Sequence, residues 1–265
     1  MSIPVYQVDA FTDRVFSGNP AAVYPLETWP EDAWMQAVAA ENNLSETAFL
    51  VGSGGRYRLR WFTPATEVDL CGHATLASAF VIFRFIEPGS SAIAFDTRSG
   101  ELRVRRDGDW LHMDFPALPP TPCPCPDDLA LGLGRRPKAV LRASYYLAIF
   151  DTEEEIRALA PDMEILKRLD LMGVIASAPG NDADFVTRTF GPKVGIPEDP
   201  VTGSAHCVLT PYWAQRLGKT QLLARQVSRR GGEIHCTLEG DRVGLAGQAV
   251  LFLRGEIMPP VPASR

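Results

Sequence analysis

A carboxylate within an apolar strand pattern is the first residue of this sequence whose position suggests chemistry. Glu46 lies in ENNLSETAFL, residues 41–50, where Leu44, Ala48 and Leu50 share its side of a predicted strand. Burying a charge without a partner is costly, so Glu46 either points to solvent or lies in a cleft and takes part in a reaction. In a cleft, burial raises the pKa of a carboxyl group, which suits general acid and base catalysis.

Two short segments with the same plan each lead into a predicted buried helix. They are CGHATLASAF and TGSAHCVLTPYW, whose glycines, Gly72 and Gly203, lie 131 residues apart. A helix N-terminus offers free N–H groups and a positive dipole end to an anion, and glycine lets a ligand approach the backbone. The alternative is an ordinary loop-to-helix joint with Ser204 as its N-cap. Two such joints at matching positions favour a functional role.

Three further side chains near these joints could carry chemistry. His73 can donate or accept a proton near neutral pH, or it is a packing histidine. Asp199 precedes a proline in GIPEDPVTGSAH, which holds its carboxylate near the following helix, or it is a turn residue. Cys71 could be a thiolate base at a helix N-terminus, or a small buried apolar residue. His206 is a weaker candidate, because it is expected to face into its helix.

Composition narrows the range of functions. The chain has 265 residues, 46% of them hydrophobic, and a net charge of −6, which argues against nucleic acid or an anionic membrane as partner. The first residues, MSIPVYQVDAFTDRVF, do not resemble a signal peptide, and no apolar run reaches the roughly 18 residues of a membrane helix. Five cysteines in no disulfide or zinc spacing predict a reducing, cytoplasmic environment.

No known cofactor or nucleophile motif is present. The sequence has no GxGxxG after a strand, no P-loop and no GxSxG elbow, and its Cys and His pairs lack metal-site spacing. We therefore expect neither cofactor nor metal, which leaves acid and base chemistry by carboxylates and a histidine.

The predicted elements form two halves. Hydrophobic periodicity predicts helices over 28–43, 73–85, 152–169 and 204–218, strands over 44–52 and 57–64, and a hairpin turning at Asp107-Gly108. The proline-rich segment PALPPTPCPCPDD separates a first half, 1–116, from a second half, 117–265, with the crossover near 116–126. Whether the C-terminal tail packs back on the first half is left open.

Five segments, taken in order, resemble the PhzF family of phenazine biosynthesis-like proteins: SGNPAAV (17–23), NNLSETAF (42–49), FTPATEVDLCGHATLA (62–77), MDFPA (113–117) and GIPEDPVTGSAH (195–206). The resemblance implies an α+β, diaminopimelate-epimerase-like fold. Such a fold has two similar halves, each a curved sheet wrapped around a central helix, with the site in the cleft between them. It also implies that Glu46, His73, Asp199 and Ser204 are the catalytic residues.

The resemblance further implies a reaction and an assembly. The family enzyme isomerises trans-2,3-dihydro-3-hydroxyanthranilate by moving a proton without a cofactor, and the family tends to form dimers. We therefore predict a homodimer that acts on a small carboxylate-bearing substrate. We expect substrate contacts from Asn19 and Ser45, which lie in two of the matching motifs, and from Gly72 and Gly203.

One cysteine departs from the pattern of the pathway enzyme. Related epimerases and proline racemase use two cysteines; Cys71 occupies the first position, but Pro200 stands at the second, so a two-thiol racemase is not expected. Phenazine-pathway members have a smaller residue before Gly-His, which leaves the substrate open. Two alternatives stay open as well: an epimerase with Glu46 and either Cys71 or Asp199 as unlike bases, and a protein that binds a metabolite without turning it over.

Overall fold

The computed structural model describes residues 2–258 and contains many short strands and few helices. The strands are β1 Ile3–Ala10, β2 Asn19–Leu26, β3 Glu46–Ser53, β4 Arg56–Phe62, β5 Glu67–Val68, β6 Ala92–Thr97, β7 Gly100–Asp107, β8 Trp110–Pro116, β9 Thr121–Pro122, β10 Ala139–Arg142, β11 Tyr146–Ile149, β12 Val174–Pro179, β13 Phe185–Gly191, β14 Ile196–Asp199, β15 Gln221–Gln226, β16 Gly232–Glu239, β17 Arg242–Gly247 and β18 Ala249–Ile257. The α-helices are α1 Asp32–Asn42, α2 Gly72–Val81, α3 Asp127–Leu133, α4 Glu153–Arg157, α5 Met163–Leu166 and α6 Gly203–Leu217. A π-helical turn at Ile82–Ile86 and a 3-10 turn at Pro192–Val194 complete the set. The predicted α+β class is confirmed.

Internal contacts divide the chain into two units. Of the described residues, the first unit contains 2–16, 20–111 and 248–258, and the second contains 17–19 and 112–247. Strand β18 belongs to the first unit, where it pairs antiparallel with β1. The short segment 17–19 belongs to the second unit, although most of β2 lies in the first.

The two units repeat one order of strands and helices. In the first unit β2 runs parallel to β3, β3 antiparallel to β4, β4 parallel to β6 and β6 antiparallel to β7. In the second unit β11, β12, β13, β15 and β16 follow one another with the same directions. Each parallel step is bridged by helix, since parallel strands need a crossover connection. Helix α2 therefore corresponds to α6.

These two corresponding helices are the buried ones. Helix α2 is apolar on nearly all sides and packs on β1, β3 and β18. Helix α6 packs on β15, β16 and β17 and ends at Gly218, whose φ of 67° is the left-handed C-cap that glycine adopts without strain. The predicted helices over 73–85 and 204–218 are confirmed, except that the last turn before Glu87 is π-helical.

An arginine, a phenylalanine and a glutamate repeat at matching places in the two units. Arg60 forms a two-pronged ion pair with Glu67 and lies 5.2 Å from the Phe62 ring. Arg188 forms the same pair with Glu198 and lies 5.0 Å from the Phe190 ring. Bidentate geometry fixes the carboxylate in one orientation. Each pair thereby joins the third strand of the repeated order, β4 or β13, to the short strand before the buried helix, β5 or β14.

The remaining predicted elements are largely confirmed. Strands β3 and β4 flank a turn at Gly54 and Gly55, which both have positive φ. The stretch 152–169 forms two short helices rather than one, because Pro161 cannot continue α4. Within residues 2–258, none of the helices has both the length and the apolar character that crossing a membrane requires.

Candidate active site

A buried carboxylate, imidazole and thiol meet in the first unit. Glu46 is the first residue of β3, and its Oε2 lies 3.3 Å from Nε2 of His73. The other ring nitrogen, Nδ1, lies 3.5 Å from Sγ of Cys71. The exposed fractions are 8% for Glu46, 3% for His73 and 6% for Cys71. The carboxylate that sequence analysis placed either in solvent or in a cleft is therefore buried against the histidine.

Local structure brings these three groups together. Helix α1 ends at Asn42, and its C-cap residue Asn43 is in the left-handed conformation. Nδ2 of Asn42 donates to Oγ1 of Thr47, which fixes the start of β3. Cys71 is the N-cap of α2, but its side chain does not cap the helix. The thiol contacts His73 instead, so the N-cap side chain of α2 serves the cluster and not the helix.

Burial controls the charge of the histidine. It lowers the pKa of His73 to about 3, because desolvation disfavours the imidazolium. His73 is therefore neutral near pH 7 and can hold one proton on either ring nitrogen. A neutral imidazole between a carboxylate and a thiol can donate to one partner and accept from the other, which suits proton transfer.

In the second unit a fixed set of hydrogen bonds surrounds Asp199. Nδ2 of Asn19 donates to its Oδ1 over 2.7 Å, and Oγ1 of Thr202 donates to its Oδ2 over 2.7 Å. Nε2 of Gln226 donates to the Asp199 carbonyl over 2.7 Å, while Oε1 of Gln226 accepts from the Thr202 amide over 2.9 Å. Desolvation raises the pKa of Asp199 to about 6, against the opposing effect of the Thr202 and Asn19 hydrogen bonds.

Asn19 reaches Asp199 because residues 17–19 are anchored to the second unit. Nε of Arg230 donates to the carbonyl of Gly18, and its Nη2 donates to that of Ser17. The Gly18 amide donates to the Gly231 carbonyl over 2.8 Å. The motifs SGNP and SRRGG, far apart in sequence, therefore act together to place one amide side chain.

Helix α6 begins with a polar residue that has its own partner. Oγ of Ser204, in the first turn, lies 2.9 Å from the hydroxyl of Tyr145, and Ser204 is partly exposed. Thr202 is the N-cap, but its hydroxyl is directed to Asp199 and does not cap the helix. As in α2, the N-cap side chain makes another contact and does not cap the helix, and a helix N-terminus of this kind suits an anionic group.

The other predicted residues are placed as follows. His206 is fully buried, its Nδ1 lies 2.8 Å from the Thr202 carbonyl, and burial lowers its pKa to about 4. Gly72 and Gly203 are the first residues of α2 and α6. Ser45 is partly buried and directly precedes Glu46. The structure thus groups Glu46 with His73 and Cys71, and Asp199 with Asn19.

Three residues of this arrangement escaped sequence analysis: Thr202, Gln226 and Tyr145. Thr202 lies within GIPEDPVTGSAH, one of the five segments that resemble the family, so a polar residue there was a usable signal. Gln226 lies outside those five segments. Tyr145 lies at the start of an apolar strand pattern, where aromatic residues are common, and nothing in its local sequence indicates a contact with Ser204.

Comparison with known proteins agrees with this structure. The family model described as phenazine biosynthesis-like protein matches residues 8–255. The chain is 55% identical to an uncharacterised isomerase of Pseudomonas aeruginosa, over 97% of this chain and 99% of that protein. A crystal structure of a PhzF family protein from Enterococcus faecalis superposes with a TM-score of 0.95 at 47% identity, covering 98% of this chain and all of that one.

A more distant likeness concerns the fold alone. A probable proline racemase from Agrobacterium radiobacter superposes with a TM-score of 0.65 at 12% identity, covering 97% of this chain and 93% of that one. The predicted epimerase-like α+β fold is confirmed. From the family match and the high identity over nearly the whole chain, it follows that this protein belongs to the PhzF family of phenazine biosynthesis-like proteins.

Proposed function

We propose that this protein is a cofactor-independent isomerase of a small carboxylate-bearing metabolite, in which Glu46 carries the proton. The observation that carries the proposal is the 3.3 Å approach of the buried Glu46 carboxylate to Nε2 of His73. The isomerase class agrees with the name of the Pseudomonas relative. In this reaction Glu46 removes a proton from an acidic C–H, the electron pair delocalises into the substrate, and Glu46 returns the proton to another carbon.

The other groups have roles that follow from their chemistry. His73, neutral and buried, donates a hydrogen bond to the oxygen on which negative charge develops. Ser204 and the uncapped amides at the N-terminus of α6 suit a carboxylate. Asp199, held by Asn19 and Thr202, suits a substrate amino or hydroxyl group. Oriented donors and acceptors of this kind stabilise the transition state without reorganising during the reaction.

The test is the conservative substitution Glu46→Gln. It keeps the size of the side chain but removes the base, so turnover should fall at least about 100-fold. The first candidate substrate is trans-2,3-dihydro-3-hydroxyanthranilate, and product formation is followed by proton NMR, because an isomer has the same mass as its substrate. Glu41→Gln, an exposed position in α1, is the matched control and should keep full activity. Turnover of the Glu46→Gln variant within tenfold of the wild type would exclude Glu46 as the base.

A second candidate, an epimerase with unlike bases, is favoured by the contact between Cys71 and His73. A second base would protonate the opposite face of the carbon. In deuterated water an epimerase places deuterium at the inverted carbon, whereas a one-base isomerase transfers part of the original hydrogen. Cys71→Ser separates the two, because it should abolish epimerisation but slow a one-base isomerase only modestly.

A further inference from the structure

The cluster around His73 contains the donor set of a metal site as well as that of a proton-transfer site. One ligand atom each from Glu46, Cys71 and His73 can be chosen so that all three lie within 4.8 Å of one another. Among residues 2–258 this is the only group of three Cys, His, Asp or Glu residues that meets this condition. The sequence spacing did not indicate it, because Glu46 comes from strand β3, well before Cys71 and His73 at the start of α2.

We propose that Glu46, Cys71 and His73 bind one borderline-soft divalent cation, Zn²⁺ above all, and that this ion and the transferred proton exclude each other. A carboxylate, an imidazole and a thiolate leave a fourth position open, as in zinc sites with three protein ligands. Metal occupancy would therefore inhibit the isomerase. The binding proposal itself goes beyond that activity and holds whether or not the chain is an isomerase.

The distances between the donors suit a small tetrahedral ion. Zinc–ligand bonds of about 2.0–2.3 Å put neighbouring ligand atoms about 3.3–3.6 Å apart. The Sγ–Nδ1 distance is 3.5 Å and the Nε2–Oε2 distance is 3.3 Å. These two contacts use opposite ring nitrogens, and an ion takes only one. Either the Glu46 carboxylate or the Cys71 thiol must therefore rotate toward the chosen nitrogen.

Charge and burial also suit a divalent cation. A thiolate and a carboxylate together carry two negative charges, which neutralise the ion without a further counterion. Both groups are more than nine-tenths buried, so little water competes for the ion. Binding releases the thiol proton to solvent, and affinity therefore rises with pH. The positive end of the α2 dipole opposes the ion and limits affinity, as expected of a site that is not permanently occupied.

The experiment uses the full chain, freed of metal with a chelator and then titrated with Zn²⁺ or Co²⁺ alone. Equilibrium dialysis should give one ion per chain. Co²⁺ should give a thiolate-to-cobalt charge-transfer band and the strong visible bands of a tetrahedral complex. Cys71→Ser should abolish the charge-transfer band, and His73→Gln and Glu46→Gln should each weaken Zn²⁺ binding at least tenfold.

Cys123→Ser is the matched control, because Cys123 and Cys125 are the partly exposed thiols that could bind the ion instead. It should leave the cobalt spectrum unchanged. Loss of the band in Cys123→Ser with its retention in Cys71→Ser would overturn the proposal, as would the absence of saturable binding. Should a variant fail to fold, wild-type protein alone still decides: over an incubation long enough to alkylate Cys71 fully in the metal-free protein, Zn²⁺ should protect the Cys71 peptide from iodoacetamide, and full alkylation with Zn²⁺ present contradicts the site.

Failure of this proposal and failure of the proposed function are distinguishable. Stoichiometry, cobalt spectra and alkylation require no turnover. The Glu46→Gln activity test is carried out in metal-free buffer and requires no bound ion.

Discussion

The starts of helices α2 and α6 occupy corresponding places in the two units, yet they are used differently. At α2 the N-cap residue, Cys71, contacts His73, which in turn contacts Glu46. At α6 the N-cap residue, Thr202, donates to Asp199, which also accepts from Asn19. Neither N-cap side chain caps its helix. The first start gathers groups that can exchange protons, and the second holds its carboxylate in a fixed network.

His73 and His206 lie near the starts of α2 and α6, but they do not occupy equivalent positions. His73 is the second residue of α2, and Ser204 is the second residue of α6, whereas His206 is the fourth. Two residues correspond to about 200° around a helix, so His206 faces the opposite way from Ser204 and is buried beside Phe185. Ser204, and not His206, is the counterpart of His73.

Glu46 also lacks a counterpart in the second unit. Glu46 begins β3, opposite Ala21 of the parallel strand β2. The corresponding strand β12 begins with Val174, opposite Tyr146 of the parallel strand β11. An apolar residue there cannot carry a proton. This asymmetry between otherwise repeated units argues against a second glutamate base at the matching position, and leaves Cys71 and Asp199 as the possible second bases of an epimerase.

The largest expected effect tests whether His206 is only a core residue. Its pKa of about 4 lies below the ordinary 6.5, so the folded state binds fewer protons than the unfolded state. Its contribution to stability is complete above pH 6.5 and is lost as the pH falls toward 4, by about 3 kcal/mol in total. His206→Gln should remove this loss from the pH dependence of urea unfolding.

The control for that comparison is His235→Gln, an exposed position on β16. Asp199, whose pKa is raised to about 6, contributes with the opposite sign: its share of stability is complete below the ordinary pKa and is lost as the pH rises through 6. That contribution is common to wild type and variant and cancels. Equal pH slopes in wild type and His206→Gln would show that His206 is not buried neutral.

A smaller effect tests the network at α6. Gln226, at the end of β15, is 1% exposed and bonds both Asp199 and Thr202. Gln226→Ala leaves the buried Thr202 amide and the partly buried Asp199 carbonyl without these partners, and should lower the free energy of unfolding by about 2 kcal/mol. Gln221→Ala, an exposed position on the same strand, should change it by less than about 0.5 kcal/mol. Similar values for both variants would mean that the network does not stabilise the start of α6.

Sequence reasoning succeeded where the signal is local. The buried helices and strands β3 and β4 follow from apolar periodicity and from glycine at turns and caps. The sequence left Glu46 either in solvent or in a cleft, because its burial against His73 depends on how α2 packs against β3. The Asn19–Asp199 bond joins residues 180 positions apart, and no local pattern specifies such a contact. The segments RWFTP and RTFGP are similar in sequence, but the sequence alone does not show that both arginines form the same ion pair with a glutamate.

The smallest expected effect concerns the bond between Tyr145 and Ser204, which has no counterpart at α2, because the corresponding residue there, His73, contacts a carboxylate. A neutral hydroxyl pair contributes about 1 kcal/mol. Tyr145→Phe and Ser204→Ala, singly and together, form a double-mutant cycle on urea unfolding, and the coupling energy should be about 1 kcal/mol. Tyr212→Phe, whose hydroxyl accepts from Arg216 on the surface of α6, is the control and should show no coupling to Ser204→Ala. A coupling energy near zero for Tyr145 would mean that its hydroxyl does not help to hold Ser204 in place. The two helix starts would then differ in the carboxylate that lies beside each, Glu46 at α2 and Asp199 at α6, and not through a stabilising contact of Ser204.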